Sequence, residues 1–185
     1  DLLGVVGEEY APIIDSLTDD DTEISDIIIN VMPGIDLVPS NLDNALLENT
    51  LLYKKLPLDK VYKRRLESVK QNYDLIVLDC PPALGANNAA AVLASDLIVA
   101  VVDPDRNAVK GLKYTYEEVA RMEKQYEFKV PVKIVLNKFD KRTSLSHDTL
   151  ESLIKHKVFG PMLCKTYVGT NQQFPNASAM GGSIF

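Results

Sequence analysis

The chain has 185 residues, 46% hydrophobic and 25% charged, which is the balance of one large globular domain able to bury a substantial core. No apolar run approaches the ~18 residues that a bilayer span needs, no signal-peptide pattern opens the chain, and two cysteines are too few for a zinc cluster. The net charge of -6 hides a division: residues 1–50 hold twelve acids and no Lys or Arg, leaving all 20 basic side chains to the remainder. Such asymmetry accompanies some nucleic-acid-binding proteins, although solvated faces account for most charge runs.

In chain order, Ala11 to Leu17 predicts a short helix ended by Asp19-Asp20-Asp21, and Thr22 or Ser25 would cap a second helix through Ile27 to Val31. Pro33-Gly34 signals a turn, Ile35 to Ser40 a short strand, and Asn41 or Asp43 the start of the next turn or helix. Between Asp59 and Lys70, Val61, Leu66 and Val69 suit an amphipathic helix whose outer face carries Lys60, Lys63, Arg64, Arg65 and Lys70. Tyr73-Asp74-Leu75-Ile76-Val77-Leu78-Asp79-Cys80 then predicts a buried parallel strand, stopped by Pro81-Pro82.

Asn87 to Ser95 is an Ala-rich helix, Leu97 to Val102 a second apolar strand ending at Asp103-Pro104, and Val109 to Tyr126 a helix with core residues at three- and four-residue spacing. Val132 to Leu136 predicts a third strand ending at Asn137, followed by a helix marked by Leu150, Leu153 and Ile154 with Ser146 as its cap. Leu163 to Val168 predicts the last strand, and both Cys80 and Cys164 are expected to be free thiols in strands. Alternating strands and helices at this spacing imply βαβ units, and hence an α/β fold with a mostly parallel sheet covered by helices on both faces. The expected organisation is a single incomplete α/β domain over 1–185, with 1–34 an irregular or helical lead-in and 35–185 the core βα units.

The polar features fall at strand C-termini, where open α/β sheets bind ligands: Asp79, Asp103, Asn137 and the loop after Val168. Asp79 reads either as a magnesium-site acid or as a strand-end turn former. Asp103, before Pro104, reads first as a turn former. Asn137-Lys138-Phe139-Asp140 has the N-K-x-D spacing of a base reader, since Asn offers a donor and an acceptor to a purine edge and a Lys stem can lie along the base plane. His147 and His156 have no Cys or acid cluster at ligand spacing and read as surface residues. The basic residues from Lys60 to Arg65, with Lys141 and Arg142, read as solvated unless they converge on one face to meet phosphates.

Tyr73 to Gly85 (YDLIVLDCPPALG) resembles the Walker B and switch II segment of the ParA/MinD family of deviant Walker ATPases, especially its Soj-like partition branch. Ile35 to Ser40, Asn88 to Asp103, Ala108 to Leu112, Val135 to Leu145 and Lys165 to Ala177 continue the likeness in the family's order. The resemblance implies a P-loop NTPase-like fold. It gives Asp79 the Walker B role, holding Mg²⁺ through water, and gives Pro82 and Gly85 the switch II role. It makes Asn137 the adenine reader beside Lys138, with Val168, Gly169 and Asn171 flanking the base. ATP and Mg²⁺ would be the cofactors, an ATP-bound homodimer the working form, and non-specific DNA and a ParB-like centromere-binding protein the partners. The implied setting is the bacterial cytoplasm, at the nucleoid.

Two departures accompany the likeness. None of the nine glycines is followed by Lys, so the family's phosphate loop has no match, and this chain by itself is expected to lack hydrolysis and most triphosphate affinity. Gly169-Thr170 stands where many relatives carry Pro-Arg. The N-terminal P-loop unit and the C-terminal helices of the family are expected to lie outside the chain. Alternative readings are a non-catalytic interaction module of the same fold, a MinD-like membrane-cycling ATPase, and a GTPase resting only on Asn137 to Asp140.

Overall fold

The computed structural model describes residues 10–81, 85–171, 173 and 176. The contacts divide the chain into two compact units, one within Asp1–Ala94 and Pro175–Phe185, the other Ser95–Phe174.

In the first unit, helix α1 (Ile13–Thr18) follows the fixed φ of Pro12 and buries Ile13, Ile14 and Leu17. The segment expected as a second helix is only a 3₁₀ turn over Ile24–Ile27, and its later part is instead a strand. β1 (Ile29–Met32) pairs antiparallel with β2 (Ile35–Leu37) around the Pro33-Gly34 turn. Gly34 takes φ +80, a conformation that other residues resist, so the turn chemistry closes a hairpin and overrides the hydroxyl cap signal. Asn41 accepts a hydrogen bond from the Asp43 backbone N–H at 2.9 Å, starting a 3₁₀ turn that leads into α2 (Leu47–Lys54).

Helices α3 (Val61–Glu67) and α4 (Ala86–Ala94) complete this core. Leu47, Leu51, Val61, Tyr62, Ala90 and Ala91 pack with α1, and the alanines of α4 let neighbouring elements approach closely. Arg65, expected on the solvated face of α3, is instead only 5% exposed. Its guanidinium donates to the Asp19 carbonyl at 2.6 Å and to the Asp20 carboxylate at 3.2 Å, with Glu23 3.8 Å away. The acidic run of the first fifty residues is therefore anchored on a buried cation from α3.

Tyr73 to Cys80 departs most from the sequence expectation. Its residues are not in a strand, and Leu75, Val77 and Cys80 are exposed, with Val77 75% accessible. Branched apolar side chains favour extended backbone, but a strand also needs a neighbour to take its N–H and C=O groups, and among the described residues no ladder partner lies beside this stretch.

In the second unit, β3 (Ile98–Val102) and β4 (Val132–Leu136) pair parallel over five rungs from Ile98↔Val132 to Val102↔Leu136. The intervening α5 (Ala108–Gln125) is the crossover that a parallel pair requires. Its Leu112 joins Val102, Ile134, Leu136, Phe139, Leu153 and Phe159 in one core cluster. α6 (Ser144–Lys155) is capped by Thr143, whose hydroxyl accepts from the Ser146 backbone N–H, rather than by Ser146 itself. Ser146 is buried, and its hydroxyl accepts from the Asp140 N–H at 3.1 Å.

His156 is half-buried rather than a surface residue. Its ring stacks on Phe159 at 4.1 Å, and Nδ1 accepts from the Phe159 N–H at 3.2 Å. Gly160 follows where a Cβ would meet the Ile154 carbonyl at 2.6 Å, so this turn requires glycine. The strand expected over Leu163 to Val168 is reduced to isolated contacts: Leu163 bridges Ile134, and the Val168 N–H reaches the Leu136 carbonyl at 2.9 Å. The Gly160-Pro161 turn and the loop bonds to β4 leave it no continuous ladder.

Candidate functional site

The expected site residues divide between the units. Asp79 and Gly85 lie in the first, where a cleft of about 920 Å³ opens between the hairpin, the stretch before α2 and the start of α4. Asp79 lines it and is exposed, and among the described residues its carboxylate makes no hydrogen bond. Pro82 lies outside the described residues.

Around Asp79 the backbone is tied by its neighbours. Asn88 of α4 donates to the Pro81 carbonyl at 2.7 Å, and Gly85 opens α4 by accepting from the Ala89 N–H at 3.0 Å. Tyr62 donates to Asn87 Oδ1 at 2.5 Å, and its hydroxyl is pushed above the ordinary tyrosine range, chiefly by burial. At the other end of the cleft, Tyr73 donates to Asp36 at 2.8 Å and Asn30 donates to the other carboxylate oxygen at 2.7 Å. These two bonds, that of Asn30 first, hold the Asp36 carboxyl below its usual range. Tyr73 and α4 thus fix both ends of a stretch that has no ladder.

Among the described residues no three His, Cys, Asp or Glu side chains converge as metal ligands. A single open carboxylate fits a cation held through its water shell, as Mg²⁺ usually is, and does not fit a cage of direct protein ligands. Ser40, Asn41 and Glu48 also line this cleft. Sequence reading missed them, since only the hairpin and the turn before α2 bring them to it.

In the second unit, Asn137, Lys138, Val168 and Gly169 come together. Register does this: Val102 pairs with Leu136, so Asp103 and Asn137 leave their strands on the same rung. The Asn137 side-chain amide donates to Asp103 Oδ1 at 3.0 Å, and Lys138 Nζ lies 2.7 Å from Asp103 Oδ2. Asp103, expected to be a turn former, is instead the partner of two expected site residues. Adjacent apolar runs, each ending in a polar residue, were the available signal.

Lys138 has φ 50, unusual for a residue with a side chain, and the Thr170 hydroxyl donates to its carbonyl at 2.9 Å. Phe139 is buried, bridges Gly169 and packs on Tyr167 at a ring separation of 4.3 Å. A Cβ on Gly169 would meet the Phe139 carbonyl at 3.7 Å, an ordinary contact, so nothing local demands glycine there. Asn171 is exposed and closes its own turn, accepting from the Gln173 N–H at 2.9 Å.

The Asp140 carboxylate is occupied locally. It accepts from Arg142 through the backbone N–H at 2.9 Å and from the guanidinium at 2.8 and 3.0 Å, which pulls its pKa from 3.8 down to about 2. The fourth member of the N-K-x-D spacing is therefore turned to its own loop.

A parallel strand pair with a helical crossover and polar strand ends defines an α/β fold of the nucleotide-site type. The profile of a family described as "AAA domain" matches residues 3–132. The chain is 29% identical over 184 residues to the sporulation initiation inhibitor protein Soj of Bacillus subtilis, covering 98% of this chain and 72% of that one. Other curated relatives are spanned over only 49% to 57% of their length.

Among solved structures, a putative plasmid partition protein of Borrelia burgdorferi bound to AMPPNP aligns with a TM-score of 0.77 and 22% identity, over 99% of this chain and 70% of that one. Cobyrinic acid a,c-diamide synthase of Mycobacterium smegmatis, with bound ATP analog and magnesium, aligns with a TM-score of 0.80 and 22% identity, over 96% and 72%. The fold is that of the P-loop NTPases. The chain belongs to the matched AAA-domain family, on its ParA/MinD side.

Proposed function

We propose that this chain is the Walker B and base-reading portion of a ParA-like ATPase acting in chromosome or plasmid DNA partition. The observation that carries the reading is the open Asp79 carboxylate, without a hydrogen bond among the described residues, on a cleft of about 920 Å³, in a chain of this family. Asp79 would hold Mg²⁺ through water, and Gly85, with Pro82, would form the loop that responds to the γ-phosphate. Asn137 and Lys138 would meet adenine, flanked by Val168, Gly169 and Asn171. Bound Mg²⁺ would supply charge neutralisation at the phosphates.

ATP would close a homodimer that binds DNA without sequence preference, and a ParB-like partner would stimulate hydrolysis and release, so that nucleotide state switches assembly. The names of the relatives support this reading: one structural neighbour is a plasmid partition protein bound to AMPPNP, and another holds an ATP analog and magnesium. The Asp140–Arg142 pairing favours adenine over guanine, because a guanine reader needs that carboxylate free. No helix among the described residues is long and apolar enough to cross a membrane.

The test is DNA-binding anisotropy of the protein carrying this segment, at graded salt, with and without ATP and Mg²⁺. Binding that requires ATP and weakens steeply with salt, and that ATP no longer induces in Asp79→Ala, is the expected result. Binding indifferent to ATP or to salt would sink the partition role. The isolated chain should take up ATP only weakly, in the millimolar range as an order of magnitude, since backbone and Lys of a phosphate loop supply most of the affinity. Micromolar ATP binding by the isolated chain would refute that.

A further inference from the structure

We propose that Asp103 is a positioning residue that sets the Asn137 amide to select 6-aminopurines over 6-oxopurines. This rests on the reading of Asn137 as the base contact and adds to it the group that decides which base is taken.

A carboxylate at neutral pH only accepts hydrogen bonds, so the end of the Asn137 amide that faces Asp103 at 3.0 Å is its NH₂ group. The opposite end, Oδ1, accepts no hydrogen bond among the described residues. A free asparagine is ambivalent, because rotation about its last bond exchanges donor and acceptor. Here the rotation is blocked. The free end of Asn137 is therefore its Oδ1 acceptor, while the second N–H of the NH₂ group stays at the end beside Asp103. An acceptor complements the N6 amino group of adenine and repels the O6 carbonyl of guanine or hypoxanthine.

Three further features hold the clamp. The parallel register brings Asp103 and Asn137 off the same rung, and the Asn137 backbone N–H donates to the Val102 carbonyl at 2.8 Å. Lys138 engages the second oxygen of Asp103, which fixes the carboxylate plane and leaves that ammonium paired rather than available to a phosphate. The Thr170 hydroxyl bound to the Lys138 carbonyl holds the left-handed turn that lets consecutive residues reach one carboxylate.

The experiment titrates the isotopically labelled chain with adenosine and inosine 5′-triphosphates to millimolar concentration in Mg²⁺ buffer, following side-chain and backbone amide shifts. Wild type should favour the adenosine nucleotide by about tenfold, one hydrogen bond gained against one repelled. Asp103→Leu should bring the ratio to about one, by losing adenosine affinity and leaving inosine affinity level or higher. Asp103→Asn should keep the preference, since its carbonyl still accepts from Asn137, although the pairing with Lys138 is lost. The folded amide spectrum of each variant shows whether the unit is intact. In the nucleotide-free chain, the Asn137 NH₂ protons should exchange slowly with water, and faster in Asp103→Leu.

An unchanged ratio in a folded Asp103→Leu would overturn the role of Asp103 and leave the base contact standing. Equal affinity of wild type for the two nucleotides, or none for either, would overturn the proposal along with the reading of Asn137 beneath it. Equal exchange of the Asn137 amide in wild type and Asp103→Leu would overturn the clamp.

Discussion

Two apolar stretches of near-identical character meet different fates in this molecule. Ile98 to Val102 forms five in-register rungs with Val132 to Leu136, and its inward side chains enter a core with Leu112 and Leu153. Leu75 to Leu78, equally rich in branched residues, has no ladder partner among the described residues and leaves Leu75 and Val77 exposed. Apolar composition makes a segment willing to be a strand. A partner for its backbone groups makes it one.

The comparison can be broken by truncation. Ile134→Ala, at a side chain with 0% exposure, should cost about 2–5 kcal/mol of stability through lost burial and the cavity left behind. Val77→Ala, at 75% exposure, should change stability by less than about 0.5 kcal/mol. Urea unfolding of the two variants measures both, and equal losses would show that the Leu75–Leu78 stretch is packed after all.

A second effect, of middle size, sharpens the contrast within the first unit. Its acidic run is fastened through Arg65, so Arg65→Ala should cost about 2 kcal/mol by removing charge-assisted hydrogen bonds to Asp19 and Asp20. Arg64→Ala, at a side chain 65% exposed beside the same Asp20, should cost well under half of that. A reversed order would mean that surface charge, not the buried anchor, holds the acidic segment.

The smallest effect belongs to the second unit. The folded Asp140 pKa of about 2 lies below its ordinary 3.8, so the Arg142 pairing contributes stability above about pH 4 and loses it as pH falls toward 2. Arg142→Ala should return the carboxyl toward its ordinary value, as read by carboxyl carbon shifts during acid titration. With both groups on the surface, the unfolding midpoint should hardly move.

Much of the architecture was legible from periodicity. The α5 spacing from Val109 to Met122 and the runs that became β3 and β4 emerged as expected, because in each the local pattern agrees with the packing it meets. The misreadings share one cause. The Ile27 to Val31 segment, Arg65 and Leu163 to Val168 were assigned each from its own stretch, and residues outside that stretch decided each of them: the Gly34 turn with its β2 partner, the Asp19–Asp20 acceptors, and the bonds from β4. For the candidate site, the positions of Asp79 and Asn137 at the ends of apolar runs were visible, whereas the pairing of Asp103 with Asn137 and Lys138 was not.

By itself the sequence determined the class of fold, the β3–α5–β4 unit and the family, since apolar period, turn residues and motif order are all properties of neighbours along the chain. Tertiary structure alone decided which apolar run became a strand, where the buried Arg65 points, and which end of the Asn137 amide faces outward. Those choices depend on hydrogen-bond partners thirty and more residues away, brought into reach by parallel register and close packing, and no window of sequence contains both sides of such a bond.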